Sequence, residues 1–149
     1  MKHALVAALS VAALAVAAPA ILAAGAQTPA PAAAKADAAL NAAIANPARQ
    51  QAHKVRDIHR HPAETLAFMG LKPGMTVIEI APGSGYYAEI LAPYAKATKG
   101  KYIATGNPIA NISDQSVWGA QTYVPFNRTS GPLAPAGSAD MVVTFRNIH

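Results

Sequence analysis

The stretch Thr-Val-Ile-Glu-Ile-Ala-Pro-Gly-Ser-Gly-Tyr-Tyr-Ala-Glu-Ile, residues 76–90, decides the fold of this chain. The apolar run over 77–80 predicts a short strand, and the apolar residues that follow Gly85 at helical spacing predict a helix. Between them, Gly83 and Gly85 let the backbone turn sharply and approach a ligand. A strand, a glycine turn and a helix in this order predict an α/β protein whose backbone N–H groups face a cofactor.

Two kinds of cofactor are bound at such a turn. Gly83-x-Gly85-x-x-Ala88 satisfies the dinucleotide pattern G-x-G-x-x-G/A, which is a weak signal by itself. A dinucleotide strand is normally apolar up to its first glycine, whereas here Glu79 precedes the turn. A carboxylate at this point suits a ligand that carries a cation, such as S-adenosylmethionine with its ammonium and sulfonium groups. A third interpretation is an ordinary strand-to-helix turn in which Glu79 faces solvent.

The heptapeptide Glu79-Ile80-Ala81-Pro82-Gly83-Ser84-Gly85 resembles motif I of the class I S-adenosylmethionine-dependent methyltransferases, acid-apolar-Gly-x-Gly-x-Gly. Ala81 stands where the motif has its first glycine. The stretches 56–66 and 70–74 also resemble a group of exported bacterial proteins described as predicted methyltransferases. This resemblance covers residues 46–149, and it implies a Rossmann-like class I methyltransferase fold with S-adenosylmethionine as cofactor.

The resemblance also implies which residues bind the cofactor. Glu79 would hold the methionine ammonium, and the backbone from Ala81 to Gly85 would pack against the methionine and the ribose. The family has an acid at the end of its second strand for the ribose hydroxyls, and here Asn107 would replace it as a neutral, weaker acceptor. The predicted cofactor-binding residues are therefore Glu79, Ala81, Pro82, Gly83, Ser84, Gly85 and Asn107. Because alanine carries a Cβ, we expect Ala81 to avoid a positive φ.

Further strands are predicted at 101–105, 121–126 and 141–145, with Asp140 as a structural turn residue that opens the last one. Ligands of doubly wound sheets bind outside the carboxyl ends of the strands, so the polar side chains after the fourth strand would face the site. In the class I methyltransferases that the chain resembles, the corresponding segment often contributes to substrate binding or proton transfer, and the resemblance therefore implies Asn147 and His149 as catalytic residues. His149 could transfer a proton near neutral pH. The alternative, that this terminal residue is frayed and inactive, stays open.

Only four strands are predicted, whereas a complete class I methyltransferase sheet has seven. We therefore expect a fold truncated after the fourth strand, a chain that is a fragment, and an exposed sheet edge. Helices are predicted at 47–58, 62–69 and 86–95, with a short one at best over 111–120.

The N-terminus is typical of a signal peptide over residues 1–26. Lys2 and His3 are basic, residues 4–18 are almost entirely apolar or small, and Ala24-Gly25-Ala26 is a cleavage site. A membrane anchor is the alternative, but the apolar run is short for a span. We expect a periplasmic or secreted protein without a stable membrane anchor after cleavage.

The segment 27–45 is predicted to be an Ala/Pro-rich linker followed by a weakly anchored helix over 37–45, because few large side chains can pack there. Residues 46–149 would then be the N-terminal part of the methyltransferase domain. The oligomeric state cannot be predicted from these features.

The amino-acid composition limits which partners and which metal sites we expect. The formal charge is +5, but the basic residues are scattered, so nucleic-acid binding is not expected. The chain has no cysteine, hence no disulfide and no lipid-anchored cysteine. His53, His59 and His61 lack the spacing of metal ligands, so no metal is expected.

The sequence thus predicts an exported S-adenosylmethionine-dependent methyltransferase that transfers a methyl group to an unidentified acceptor. One alternative is a non-catalytic periplasmic binding protein that retains the fold, since a fold does not secure an activity. The other is a dinucleotide-dependent oxidoreductase, disfavoured by Glu79 and by the missing acid about 20 residues after the turn.

Cleavage after Ala26 predicts that the mature protein begins at Gln27. N-terminal sequencing of exported material checks this directly. A membrane-bound product that still begins at Met1 would contradict it.

Overall fold

The computed structural model describes the backbone of residues 31–147 and the side-chain surroundings of residues 38–147. The predicted signal peptide therefore lies outside the described residues. The elements in chain order are α1 (Pro31–Ile44), α2 (Gln51–Lys54), α3 (Asp57–Arg60), α4 (Pro62–Phe68), β1 (Thr76–Ile80), α5 (Ala88–Thr98), β2 (Lys101–Thr105), a 3-10 helix (Ala110–Ile112), α6 (Gln115–Trp118), β3 (Gln121–Val124) and β4 (Met141–Thr144). Among the helices in this part of the chain, none is long and apolar enough to cross a membrane.

The four strands form one all-parallel sheet in the order β3-β2-β1-β4. Val77 of β1 lies opposite Tyr102 of β2 and Met141 of β4, and this register brings the carboxyl ends of the strands to one edge. The same order occurs in the first four strands of Rossmann-type sheets. The α/β prediction and all four predicted strands are confirmed, and the arrangement is compatible with a Rossmann-like fold.

Helix α5 connects β1 to β2 and packs on both strands. Ile90 and Leu91 are fully buried against the sheet face that carries Val77 and Tyr102. The helix begins two residues later than predicted, because Tyr86 and Tyr87 belong to the turn that precedes it. It runs past Pro93 to Thr98.

Helix α1 differs from the prediction in length and in packing. Residues 31–36, predicted to be an extended linker, belong to the helix. The helix packs against α4 and α5, and Leu40 and Ala43 are buried in the core. Ala39 and Ile44 are partly buried against the same core, so α1 packs through several side chains of one face.

The segment between α1 and α4 is also more sharply bent than predicted. The single helix expected over 47–58 is replaced by α2 and α3, which meet at Val55 and Arg56. His61 follows with a left-handed backbone (φ 42°) and leads into α4, whose bounds agree with the prediction to within one residue. The bend brings the guanidinium of Arg49 within hydrogen-bonding distance of the carboxylate of Asp57. In a continuous helix, side chains three or four residues apart are neighbours, whereas these two residues are eight apart.

Because Leu40 is 7% exposed within the core, we expect Leu40→Ala to lower the free energy of unfolding by about 2–4 kcal/mol. Chemical denaturation of the purified protein measures it. Asn41→Ala, at the neighbouring exposed position of α1, is the matched control and should change stability by less than about 0.5 kcal/mol. Equal stability of the two variants would show that α1 is not part of the cooperative core.

Candidate functional site

The loops that follow β1, β2 and β4 meet at the carboxyl edge of the sheet and enclose two cavities. The first, of about 230 Å³, is the arginine cavity, lined by Arg56, Arg60, Glu79, Tyr86, Tyr87, Phe145, Arg146, Asn147 and the loop 81–84. The second, of about 500 Å³, is the asparagine cavity, lined by Gln50, Thr105, Asn107, Pro108, Ile109, Ala110, Asn111 and the same loop. The glycine turn is therefore the wall between them.

This geometry brings most of the predicted cofactor residues together. Residues 81–84 face both cavities, while Glu79 lines only the arginine cavity and Asn107 only the asparagine cavity. Gly85 lines neither. A Cβ on Gly85 would lie 2.9 Å from Cγ2 of Ile109, and its φ is +87°, so this glycine is required by packing and backbone conformation.

Ala81 adopts a left-handed backbone with φ 51°, which contradicts the expectation drawn from its Cβ. Its N–H donates to Oγ1 of Thr105 at 2.8 Å, and its carbonyl accepts from Nδ2 of Asn147 at 3.2 Å. These two contacts come from the ends of β2 and β4, and they offset a strain of about 1–2 kcal/mol.

Glu79 is 2% exposed, which excludes the solvent-facing interpretation. Tyr102, opposite Val77 on the same sheet face, donates its hydroxyl to Oε2 of Glu79 at 2.6 Å. Within residues 38–147 no Lys, Arg or His forms an ion pair with Glu79. Burial raises the pKa of Glu79 to about 7, against the opposing effect of the Tyr102 hydrogen bond. The carboxyl is thus poised between its neutral and ionised forms near neutral pH.

An ion pair that the sequence did not reveal contacts Tyr86, one of the residues that line the arginine cavity. The guanidinium of Arg49 binds Asp57 through two hydrogen bonds of 2.8 and 2.9 Å, and Tyr86 donates its hydroxyl to the same carboxylate at 2.6 Å. Burial would raise the pKa of Asp57, but the hydrogen bonds from Arg49 and Tyr86 outweigh it and hold that pKa below its usual value.

The guanidinium of Arg60 lies over the ring of Tyr86, 4.4 Å from its centroid, and Arg56 approaches the same ring at 5.8 Å. Both belong to the bent segment before α4, and Arg146 adds a third guanidinium from the loop after β4. Arginines over aromatic faces are held in place by cation–π attraction. The arginine cavity therefore offers an anion several charged donors.

The sequence also gave no indication of a second set of interacting side chains, which is centred on the buried His53. His53 is 4% exposed; its Nε2 lies 3.2 Å from Oγ of Ser84, and its Nδ1 lies 2.9 Å from Oε2 of Glu89. Glu89 is fully buried in the first turn of α5. His53 lies 31 residues before Ser84 in the sequence, so no local sequence pattern could have revealed its contacts with Ser84 and Glu89.

The predicted catalytic residues are only partly described. Asn147 lies at the rim of the arginine cavity, where its Nδ2 donates to the carbonyls of Ile80 and Ala81 and to Oγ1 of Thr144. Its amide thus joins the end of β4 to the glycine turn. His149 lies outside the described residues.

Asp140 accepts a hydrogen bond from the N–H of Thr76 at 2.7 Å, at the start of β1 and away from the cavities, as expected for a structural residue. In the part of the chain that the structure describes, no group of three or more His, Asp or Glu could hold a metal ion.

No protein-family model, no curated protein and no solved structure matches this chain.

Because the pKa of Glu79 lies near 7 in the folded state and near 4.5 in the unfolded state, folding takes up a proton between these values. Stability is then lost as the pH rises from about 4.5 to 7 and is constant above. Glu79→Gln avoids this loss and keeps an acceptor for Tyr102. We expect the variant to gain stability over the wild type, by up to about 3 kcal/mol at pH 8 and by little at pH 5.

Urea denaturation at both pH values measures this difference. Glu64→Gln, which removes an exposed carboxylate on α4, is the control and should show little pH-dependent change. A gain from Glu79→Gln that is the same at pH 5 and pH 8 would mean that the buried carboxyl does not titrate in this window.

Proposed function

We propose that this protein is a class I S-adenosylmethionine-dependent methyltransferase, exported to the periplasm, that acts on an unidentified small-molecule acceptor. The observation that carries the proposal is the glycine turn between two cavities, with the buried Glu79 in the wall of one and Asn107 in the wall of the other. An elongated cofactor fits this division if one end is an amino acid, with its ammonium and carboxylate groups, and the other end is a nucleoside.

The residues present fit such a cofactor on three counts. Glu79 is a buried carboxyl without a cationic partner among the described residues, so an ammonium group would complete it. Arg56, Arg60 and Arg146 would meet the carboxylate of the methionine end. A Cβ at Gly83 would point into open space, so the turn leaves room for a ligand there.

The nucleoside end would occupy the asparagine cavity. Asn107 and Asn111 line it with side-chain amides, which can donate and accept hydrogen bonds. Thr105 is engaged by the N–H of Ala81 and serves to hold the turn. Since no carboxylate stands at this end of β2, the ribose would be bound less strongly than by an acid.

When bound, the cofactor supplies an electrophilic methyl group on its sulfonium. The chain itself needs mainly to position an acceptor in line with that methyl group, and a covalent nucleophile is not required. Tyr87 and Phe145 stack at 3.6 Å between ring centroids beside the arginine cavity. This stacked pair would shield the acceptor from water.

Titration calorimetry of the purified protein with S-adenosylmethionine and with NAD tests the proposal. We expect binding of the first and none of the second. Glu79→Gln should lower the affinity for S-adenosylmethionine roughly ten- to a hundredfold, because a charge-assisted contact is worth about 1.5–3 kcal/mol.

The affinity of the wild-type protein for S-adenosylmethionine should fall as the pH drops below about 7, because the carboxyl of Glu79 then takes up a proton. The affinity of the Glu79→Gln variant should change less over the same pH range.

Glu64→Gln serves as the control for a change in net charge and should bind like the wild type. Binding of NAD alone would support the oxidoreductase instead. Failure of both ligands to bind would refute the proposal, and binding of S-adenosylmethionine that is insensitive to Glu79→Gln would remove Glu79 from the site.

A further inference from the structure

At the glycine turn, the side chains of Ser84, His53 and Glu89 lie in series. The Ser84–His53 distance is 3.2 Å from Oγ to Nε2, and the His53–Glu89 distance is 2.9 Å from Nδ1 to Oε2. We propose that this arrangement is a serine–histidine–carboxylate triad that gives the protein a second activity, the hydrolysis of small carboxylic esters. The serine is the nucleophile, the histidine the base, and the glutamate a positioning residue.

The first argument is the placement of Ser84. It is exposed, it lies between a strand and the helix that follows, and it faces both cavities. A nucleophilic hydroxyl needs access to substrate on one side and a base on the other. Ser84 has both, because the imidazole of His53 approaches it from the buried side.

The second argument is the environment of His53. The ring is almost completely buried and packs edge-on against Tyr86, at 5.7 Å between centroids and an interplanar angle of 67°. With a proton on Nδ1, its Nε2 is an acceptor for the hydroxyl of Ser84. The ring N–H does not point along the short Nδ1–Glu89 separation. Catalytic hydrogen bonds are often poorly aligned without substrate and tighten only when substrate is bound.

The third argument is that Glu89 is held in place. Its Oε1 accepts from Nδ2 of Asn111 at 2.5 Å, its Oε2 accepts from the N–H of Gln50 at 3.2 Å, and Nε of Arg49 lies 3.9 Å away. A fully buried carboxylate with several donors keeps one orientation. It can therefore orient the imidazole and stabilise the positive charge that the ring acquires.

The reaction balances with water as the only co-reactant. Oγ of Ser84 bonds to the ester carbonyl carbon while Nε2 of His53 takes its proton, and Arg56 and Arg60 in the same cavity favour the negative charge on the carbonyl oxygen. The C–O bond to the alcohol breaks, and His53 returns the proton to the departing oxygen. Water, deprotonated by His53, then cleaves the acyl–serine bond and restores the free hydroxyl.

This inference does not depend on the proposed methyltransferase activity. A cofactor lying across residues 81–84 would cover Ser84, so the two ligands should exclude each other. The test is therefore run without S-adenosylmethionine, and its failure would leave the calorimetry of the proposed function unaffected.

A fluorophosphonate reagent, which reacts with activated serines, tests the nucleophile. Mass spectrometry of the treated protein should locate one adduct on Ser84, and hydrolysis of 4-nitrophenyl acetate should stop with it. Ser84→Ala should abolish both, and His53→Gln should slow labelling at least a hundredfold. Ser138→Ala is the matched control and should react like the wild type, because Ser138 is exposed at the opposite edge of the sheet.

A wild-type protein that is not labelled at Ser84 would overturn the proposal. Labelling of His53→Gln at the wild-type rate would do the same.

A second experiment avoids substitution of the buried histidine. The chain has no cysteine, so Ser84→Cys introduces its only thiol. If His53 acts as a base toward position 84, alkylation of this thiol by iodoacetamide should reach half its maximal rate at least one pH unit below about 8.5, the usual thiol pKa. The shift should persist when Arg56 and Arg60, the cations of the same cavity that could also lower it, are replaced by glutamine. Ser138→Cys should show the usual value. Identical profiles for the two variants would overturn the proposal.

Discussion

The buried carboxylate of Glu89 joins two segments of the chain that line the asparagine cavity to the helix that follows the glycine turn. Its oxygens receive the N–H of Gln50 and the side-chain amide of Asn111, and Nδ1 of His53 lies against them. An ionised carboxylate in an apolar core is destabilising by several kcal/mol unless donors surround it. The segments around residues 50 and 111, which both line the asparagine cavity, are therefore held against the start of α5.

Glu79 is also a buried carboxyl group, but its surroundings differ from those of Glu89. It is as deeply buried, yet a neutral hydroxyl from Tyr102 is its hydrogen-bond donor, and its pKa lies near 7. Glu89 is enclosed by donors that the fold provides, whereas Glu79 has no cationic partner among the described residues. This difference between two glutamates ten residues apart is the physical basis for placing Glu79, and not Glu89, in the proposed cofactor site.

The parts of the fold that could be predicted are those that depend on nearby residues. The strands at 76–80 and 101–105 and the helix before β1 follow from apolar runs, proline and glycine, which act within a few positions. Ala81 shows the limit of this reasoning. Its left-handed backbone depends on Thr105 and Asn147, which lie more than 20 residues away in sequence. The anchoring of α1 through Leu40 depends likewise on a partner helix that the local composition does not specify.

The sequence by itself determined the strand–glycine turn–helix unit and the carboxylate near the end of its strand, because consecutive residues form all of these features. Only the tertiary structure decided the protonation of Glu79, the bend that brings Arg49 to Asp57, and the approach of His53 to Ser84. Desolvation and contacts between distant segments arise only when the chain is packed. For that reason the sequence could indicate where the candidate site lies, and the packed fold was needed to show which groups in it are charged, paired or free to react.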